Sequence, residues 1–600
     1  MNTRKISKIA KLLPLAAIAL ATCSSFAAPV QGPADESFFN YPEQELTGTH
    51  GDLISYRTTT VKVAGAPANK AWNVVYQFKD SLDGDYAVSG TVITPTAAWT
   101  GTGPRPVVLY AVGTHGLKSS CAPSRQLAAG TDYEASNIAA ALNAGYSVMI
   151  TDYFGALNAA DPLPSTYLAG KSQGQALLDI FKAATQIPGA NISASSPVAV
   201  WGYSQGGQTA AFAGELASTY APNIKLVGVA AGGVPGDFFA TARNLNASTG
   251  FAFLASAIVG LNTQYGDEVP IDLIASDAGK AELEKLKNMC VFEALFTYQN
   301  KDIKSFTRSG EPLDALLNVA SVKNVLQQQA LGTRKINVPL YQFHGQADEF
   351  IPLGQAVDLK KAYCAKGTNV KFDLFPSEHI VTQFQGAKTV MPWLADRFAG
   401  KAQAGNCSNT AAAPASTANP GGGDFVVTLN KWNLTGEIGL KTLAQTVYLP
   451  AGSTFTADAN VTSKSLNGSL SIPDYKTTIK LIGINTSVGL RVTAAGATTG
   501  SNVVGNDGSL TITGQSPANI TVTSVLGIPF GECKTVSPVI FGLNFKSGVA
   551  ALGDGSLGFS GTTTFPQIKG CFISAILSGL MSGSGQTYKL GVTPPAPVAF

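Results

Sequence analysis

The 600-residue chain is short of charge. Asp, Glu, Lys and Arg make up 13% of it and sum to a formal +3, where a soluble protein usually carries about 25%. A nucleic-acid binder runs on a basic field that neutralises phosphates, so that class of function is excluded. Histidine is scarce, at four residues, and no two of the seven cysteines stand in a C-x-x-C spacing. Structural zinc sites are built from such clusters; neither a metal nor a cofactor is expected. After the first 30 residues no apolar run approaches the length that crosses a bilayer, roughly 20 residues for a helix. No transmembrane segment is therefore expected.

Apolar residues and glycine are abundant. Hydrophobic residues reach 45% and glycines number 63, so the chain can bury sizeable cores and is not intrinsically disordered. A length of 600 exceeds what one compact core serves, and it predicts two or three folded units.

The first residues read as an export leader. Arg4, Lys5, Lys8 and Lys11 precede the apolar run Leu12 to Ala21, and Ser25-Phe26-Ala27-Ala28 follows. A basic stretch, a short apolar stretch and a small-x-small site predict a signal peptide over residues 1–27, cut after Ala27. Thr22 is a poor neighbour for a lipidated Cys23. Without the leader, 37 basic residues face 38 acidic ones, and the protein is expected outside the cytoplasm, extracellular or periplasmic. Six cysteines then remain: Cys121, Cys290, Cys364, Cys407, Cys533 and Cys571. An even number in an oxidising compartment favours disulfides.

The clearest boundary is Ser408 to Gly423, SNTAAAPASTANPGGG. Such a stretch builds no core and reads as a flexible linker between independently folding units. Before it, in residues 28–407, the buried-strand runs Val107–Tyr110, Ser147–Thr151 and Val198–Trp201 alternate with helical segments such as Ala135–Ala144 and Gln173–Ala184. That alternation predicts an α/β domain with a parallel sheet. Residues 240–331 are helix-like throughout and read as an insertion over the sheet's C-terminal edge. Residues 424–600 are dominated by Thr, Val, Gly and Ser in short alternating runs, which predicts a separate all-β, sandwich-like domain.

The strongest chemical signal is Gly202-Tyr203-Ser204-Gln205-Gly206, directly after the strand Val198–Trp201 and before a helical segment. G-x-S-x-G in a strand-turn-helix setting is a nucleophile elbow, whose small flanking residues relieve crowding at a strained turn. Serine needs a positioned base, and the chain order of hydrolases puts an acid and then a histidine downstream. Only His344 and His379 follow Ser204. Asp348 stands after the strand Leu340–Gly345, and His379 after the strand Val370–Phe375, so both lie at the same sheet edge as the elbow. Ser204, Asp348 and His379 are the expected triad, with His379 as general base and then general acid. His344 reads as a structural side chain of the acid loop, and Glu349 is the alternative acid. The oxyanion hole requires two backbone N–H groups. One is that of Gln205; the other is that of Thr114 or His115, in the loop after Val107–Ala111.

With these residues in view, the chain resembles the secretory lipase family, the lipase A-like α/β-hydrolases. The resemblance rests on GYSQGGQTAAFAGELASTYAP at the elbow, VGVAAGGVPGDF at 227–238, GTHGLKSSCAPS at 113–124, AGYSVMITDYFG at 144–155, HGQADEFIP at 344–352 and GDLISYR at 51–57. It covers roughly residues 37–407. It implies an α/β-hydrolase fold with a helical cap between elbow and acid, and hydrolysis of carboxylic esters, commonly triacylglycerols, without a cofactor. The substrate is then an ester or lipid, met in solution or at an interface. By position it also implies the disulfides Cys121–Cys290 and Cys364–Cys407, leaving Cys533 to pair with Cys571. The sequence departs from the family where the oxyanion loop carries Thr114-His115 in place of an acidic donor. A hydrolase of bulky or polymeric esters, and a surface binding protein on a hydrolase scaffold, are the competing readings.

Overall fold

The computed structural model describes residues 29–41, 46, 48–157, 163–418, 423–481 and 483–600; the leader, residues 1–27, lies outside them. The first domain is built on a sheet of ten strands: β1 (Val30–Gln31), β2 (Leu53–Thr59), β3 (Asn69–Lys79), β4 (Asp85–Pro95), β5 (Val107–Ala111), β6 (Ser147–Thr151), β7 (Val198–Tyr203), β8 (Leu226–Gly232), β9 (Leu340–Gly345) and β10 (Val370–Phe375). They lie in the order β1-β2-β3-β4-β6-β5-β7-β8-β9-β10. From β6 to β10 every pairing is parallel. These strands read as unbroken apolar runs because helices cover both faces.

Before the cap the chain contributes helices α1 (Pro123–Ala129), α2 (Ala135–Asn143), α3 (Gly170–Thr185) and α4 (Gln205–Tyr220). The cap follows, with α5 (Phe238–Leu245), α6 (Phe251–Tyr265), α7 (Ile271–Ile274), α8 (Asp277–Leu286), α9 (Val291–Thr297), α10 (Leu313–Leu317) and α11 (Ala320–Gln328). Three more helices close the domain: α12 (Leu353–Ala365), α13 (His379–Gln385) and α14 (Ala387–Phe398). Alternate residues of each buried strand face opposite layers. Val107 and Leu109 pack with Leu177, Ile180, Ala210 and Ala213 of α3 and α4. Val108 and Tyr110 pack with Ile138 and Leu142 of α2 and Val390 and Leu394 of α14. This is the α/β-hydrolase fold with its helical cap. Among the described residues no helix is long and apolar enough to cross a membrane.

The second domain is all-β. Its long strand Val426–Leu440 alternates buried and exposed positions, as a half-buried antiparallel strand should. Strand Ser509–Val525 pairs antiparallel with four neighbours, and it carries the predicted run Leu510–Thr513. All three disulfides are present: Cys121–Cys290, Cys364–Cys407 and Cys533–Cys571.

The two domains touch more closely than a flexible spacer predicts. Apolar packing runs without a break from the cap into the β-domain. Residues 409–417 lie along the hydrolase: Lys360 Nζ donates to Asn409 O at 2.7 Å and Thr417 N–H to Gln346 O at 3.1 Å. Strand Val598–Ala599 then pairs antiparallel with β10, and the Phe600 ring packs edge-on against Phe372. A segment of Ala, Ser and Pro has little to bury, but its backbone groups still find partners, and composition alone does not show that.

Candidate active site

Ser204 sits between β7 and α4 with φ 58° and ψ −122°, a strained conformation for a residue with a side chain. The turn survives because its neighbours lack Cβ atoms. A Cβ on Gly206 would stand 1.9 Å from Ala111 O, and one on Gly202 would stand 2.1 Å from Gly206 O. Ser204 N–H donates to Gly232 O at 2.9 Å, which pins the turn to β8. Gln205 is the first residue of the 16-residue α4, so its N–H has no partner within the helix and lies at the positive end of the dipole.

Asp348 follows β9, and His379 opens α13 after β10. Because β9 and β10 are adjacent and parallel, both loops emerge at the edge where β7 delivers Ser204. His379 Nδ1 lies 2.6 Å from Asp348 Oδ2. The other carboxylate oxygen, Oδ1, accepts the N–H groups of Phe350 at 3.0 Å and Ile351 at 2.8 Å. Burial works to raise the Asp348 pKa, but the charges of His379 and His344 and the N–H donors outweigh it and hold the carboxyl below its usual value. The imidazole of His379 packs against the rings of Tyr203 and Phe350, with centroids 4.9 and 5.3 Å away. Tyr203 immediately precedes the serine. No hydrogen bond joins His379 to Ser204 Oγ in this structure; such bonds are often long without substrate and tighten when it binds.

His344 and Glu349 stand beside this arrangement. His344 Nε2 donates to Ile351 O at 3.0 Å, and burial holds its pKa below the usual value, so the ring ties the acid loop together. Glu349 Oε2 accepts the backbone N–H of His379 at 3.1 Å, not the imidazole. Burial and the neighbouring Glu378 and Asp348 push its pKa well above normal. Glu378 caps α13, accepting the N–H groups of Ile380 at 2.5 Å and Val381 at 2.9 Å. Sequence reading missed it, and its only signal was an acid at the start of a helix.

The loop after β5 is held by an acidic pair that was also missed. Glu134 accepts the N–H of Gly113 at 2.6 Å and the hydroxyl of Tyr110 at 2.5 Å. His115 is engaged by Asp132 at 3.2 Å and by Gly113 O at 3.0 Å. Burial works to lower the His115 pKa, yet Asp132 and Glu134 prevail and push it up to about 9. Thr114 is braced at its hydroxyl by Tyr167 and at its carbonyl by Tyr133, both at 2.9 Å. A β-bridge between Gly116 and Cys290 and the Cys121–Cys290 disulfide fasten the loop to the cap.

Inside the cap is a cavity of about 120 Å³ lined by side chains such as Phe238, Leu245, Phe253, Leu261, Ile303 and Leu326. Phe253 packs edge-on against Phe350 at 5.0 Å, so one ring separates the cavity wall from His379. The β-domain reaches the same place. Phe425 packs on Phe350 at 5.9 Å. The short helix Ala551–Asp554 abuts α13 so closely that a Cβ on Gly553 would fall 2.5 Å from Val381 O.

An elbow serine on a capped parallel sheet, with a paired Asp and His at the same edge, defines the hydrolase class of this fold. The secretory lipase family model matches residues 122–406. Lipase 9 of Candida albicans is 27% identical over 402 residues, 63% of this chain and 85% of the relative. The secreted triacylglycerol lipase LIP1 of Malassezia furfur is 24% identical across 62% of this chain and 77% of its own. A Mycobacterium tuberculosis relative, 28% identical across 62% of this chain and 83% of its own, is named "Probable inactive lipase MT1628". Among solved structures, Candida antarctica lipase A is 25% identical with a TM-score of 0.57, covering 66% of this chain and 92% of that one. The secretory lipase match falls within the hydrolase domain, and the β-domain lies outside it.

Proposed function

We propose that the protein is a secreted serine carboxylic-ester hydrolase of the lipase type, acting on triacylglycerols or other acyl esters through an acyl-enzyme. Residues 1–27 are its leader, 28–407 its catalytic domain, 408–423 the connection and 424–600 an accessory domain. The observation that carries this reading is the 2.6 Å pair of His379 Nδ1 and Asp348 Oδ2 at the sheet edge that presents Ser204.

In this mechanism Ser204 Oγ attacks the ester carbonyl while His379 Nε2 takes its proton. Asp348 holds the ring by Nδ1–H and balances the imidazolium. The oxyanion meets the N–H of Gln205 and a second backbone N–H, that of Thr114 or His115, from the loop after β5. Collapse breaks the ester C–O bond, and His379 returns the proton to the leaving alkoxide as an alcohol. Water then attacks the acyl-enzyme with the same base, releasing the acid and Ser204 Oγ–H. The apolar cap cavity is the place for the acyl chain.

The test is hydrolysis of p-nitrophenyl esters of rising chain length by the full chain and by Ser204→Ala. Removing a triad nucleophile usually costs about 10⁴-fold or more in turnover. A Ser204→Ala protein that keeps more than a few per cent of the rate would overturn the assignment. A wild-type protein inert on every ester would return the chain to the scaffold reading.

A further inference from the structure

One end of the β-domain exposes apolar side chains on three adjoining elements. Strand Ser509–Val525 turns back through Leu526-Gly527 into the strand Ile528–Thr535. Leu526 and Ile528 are 66% and 57% exposed. The neighbouring hairpin ends beside it: Leu526 N–H donates to Ser487 O at 2.9 Å, and Ile484 at that hairpin's tip is 67% exposed. The third element is the helix Ser574–Met581, which turns Leu577 and Met581 inward and leaves Ile576 57% exposed. Just before it, Phe572 is 83% exposed and its ring meets Phe530 at 5.4 Å. The Cys533–Cys571 disulfide staples the helix to the hairpin. Scattered apolar residues are ordinary on a surface, but a contiguous group marks an interaction site.

Charge selects the partner. Residues 28–423 hold 27 basic against 31 acidic side chains, whereas residues 424–600 hold 10 against 7. The basic excess therefore belongs to the β-domain alone. Lys480, Lys534 and Lys569 are exposed around the apolar end, with Lys534 and Lys569 side by side as cross-strand partners. Glu532 is the acidic residue in the stretch 525–540, and the stretch 570–588 carries no charge at all. Projecting apolar tips within a basic rim match a headgroup layer, where the tips enter the acyl boundary and the lysines meet anionic lipid. A second copy of the chain would bring the same positive rim against itself.

We propose that this end of the β-domain, built from the turns at Ile484 and Leu526 and the helix Ser574–Met581 with Phe572, is a docking site for an anionic lipid surface. The site deepens the ester-hydrolase reading by stating where the enzyme works, but its test needs no turnover. It also leaves the cap unobstructed. Gly508, just before strand Ser509–Val525, lies against Phe292 of the cap, and a 17-residue strand carries the docking end about 50 Å away.

The experiment is sedimentation of the full chain carrying Ser204→Ala with vesicles of phosphatidylcholine, with and without phosphatidylglycerol. The expected result is binding to the anionic vesicles that weakens at high salt, and a loss of at least about tenfold on Phe572→Ser with Ile576→Ser. Lys480→Glu with Lys569→Glu, both at exposed positions, should weaken anionic binding and spare any binding to neutral vesicles. No binding to either vesicle, or equal binding by all variants, overturns the proposal. So does a dimer in lipid-free buffer that Phe572→Ser dissolves, because the face would then belong to a second copy. The same surface substitutions on the Ser204 background should leave soluble-ester hydrolysis unchanged. If wild type hydrolyses no soluble ester, the functional reading falls while the docking result still stands.

Discussion

The hydrolase and the β-domain solve burial in different ways, and the candidate active site sits with one of them. Strands β5 to β10 are buried on both faces, so their loops leave a rigid sheet at one edge and can aim side chains. That edge collects Asp348, Glu349, Glu378 and His379, all buried. The β-domain spends every second residue on solvent, has no histidine, and carries its distinctive features outward. Catalytic polarity needs a dry, overdetermined site, whereas a binding surface needs exposed area. The division is not complete, because the β-domain also presses Phe425 and Gly553 against the elements that hold His379.

The comparison can be broken at several depths. The deepest cut after the nucleophile is Asp348→Asn, which leaves the packing but frees the imidazole tautomer; turnover should drop by about 10⁴-fold. A loss below tenfold, with Glu349→Gln then severe, would move the acid to Glu349. Next is Gly553→Val, made in the β-domain. Its Cβ would stand 2.5 Å from Val381 O and 2.6 Å from Gln385 N, displacing α13 and with it His379. Small displacements of a catalytic group cost about 10²-fold, so kcat on a soluble ester should fall ten- to a hundredfold with KM nearly constant. An unchanged kcat would restore a clean separation of catalyst and accessory.

A smaller effect concerns stability. Folded His115 keeps its proton up to about 9, against 6.5 for the free side chain. The pKa is raised on folding, so the contribution is fully present below 6.5 and is lost as pH rises through 9. A shift of that size is worth up to about 3 kcal/mol. The melting temperature should therefore decline over this window in wild type and stay flatter in Asp132→Asn. Equal slopes would assign no such role to the pair. The smallest effect is expected from Glu349→Gln. Its carboxyl is pushed well above the normal range and it accepts a backbone N–H, both of which an amide reproduces. Activity within about twofold of wild type is expected, and a tenfold loss would show that its ionisation matters.

Reading the sequence went furthest where neighbours along the chain determine the answer. The elbow is local: a strand, a serine between glycines and a helix must fold into that turn, because Gly202 and Gly206 occupy places where a Cβ would collide. Asp348 and His379 were legible for a related reason, since each follows a parallel strand and such strands deliver their loops to one edge. The cap was legible as a helical block, and the β-domain from its alternation. Contacts between distant segments were not legible. Glu134 reaches Gly113, Glu378 lies against the acid loop, and Gly553 reaches α13 across some 170 residues, with no pattern along the chain to announce them.

The sequence by itself determined the two architectures, the placement of Ser204, Asp348 and His379 at one edge, and the even set of cysteines, because periodicity, turn chemistry and strand direction are local properties. Only the tertiary structure decided that residues 409–417 lie down on the hydrolase, that the β-domain braces the histidine helix, and which apolar residues of that domain remain in water. Those outcomes depend on which surfaces meet, and a surface exists only once residues far apart in the chain have been brought together.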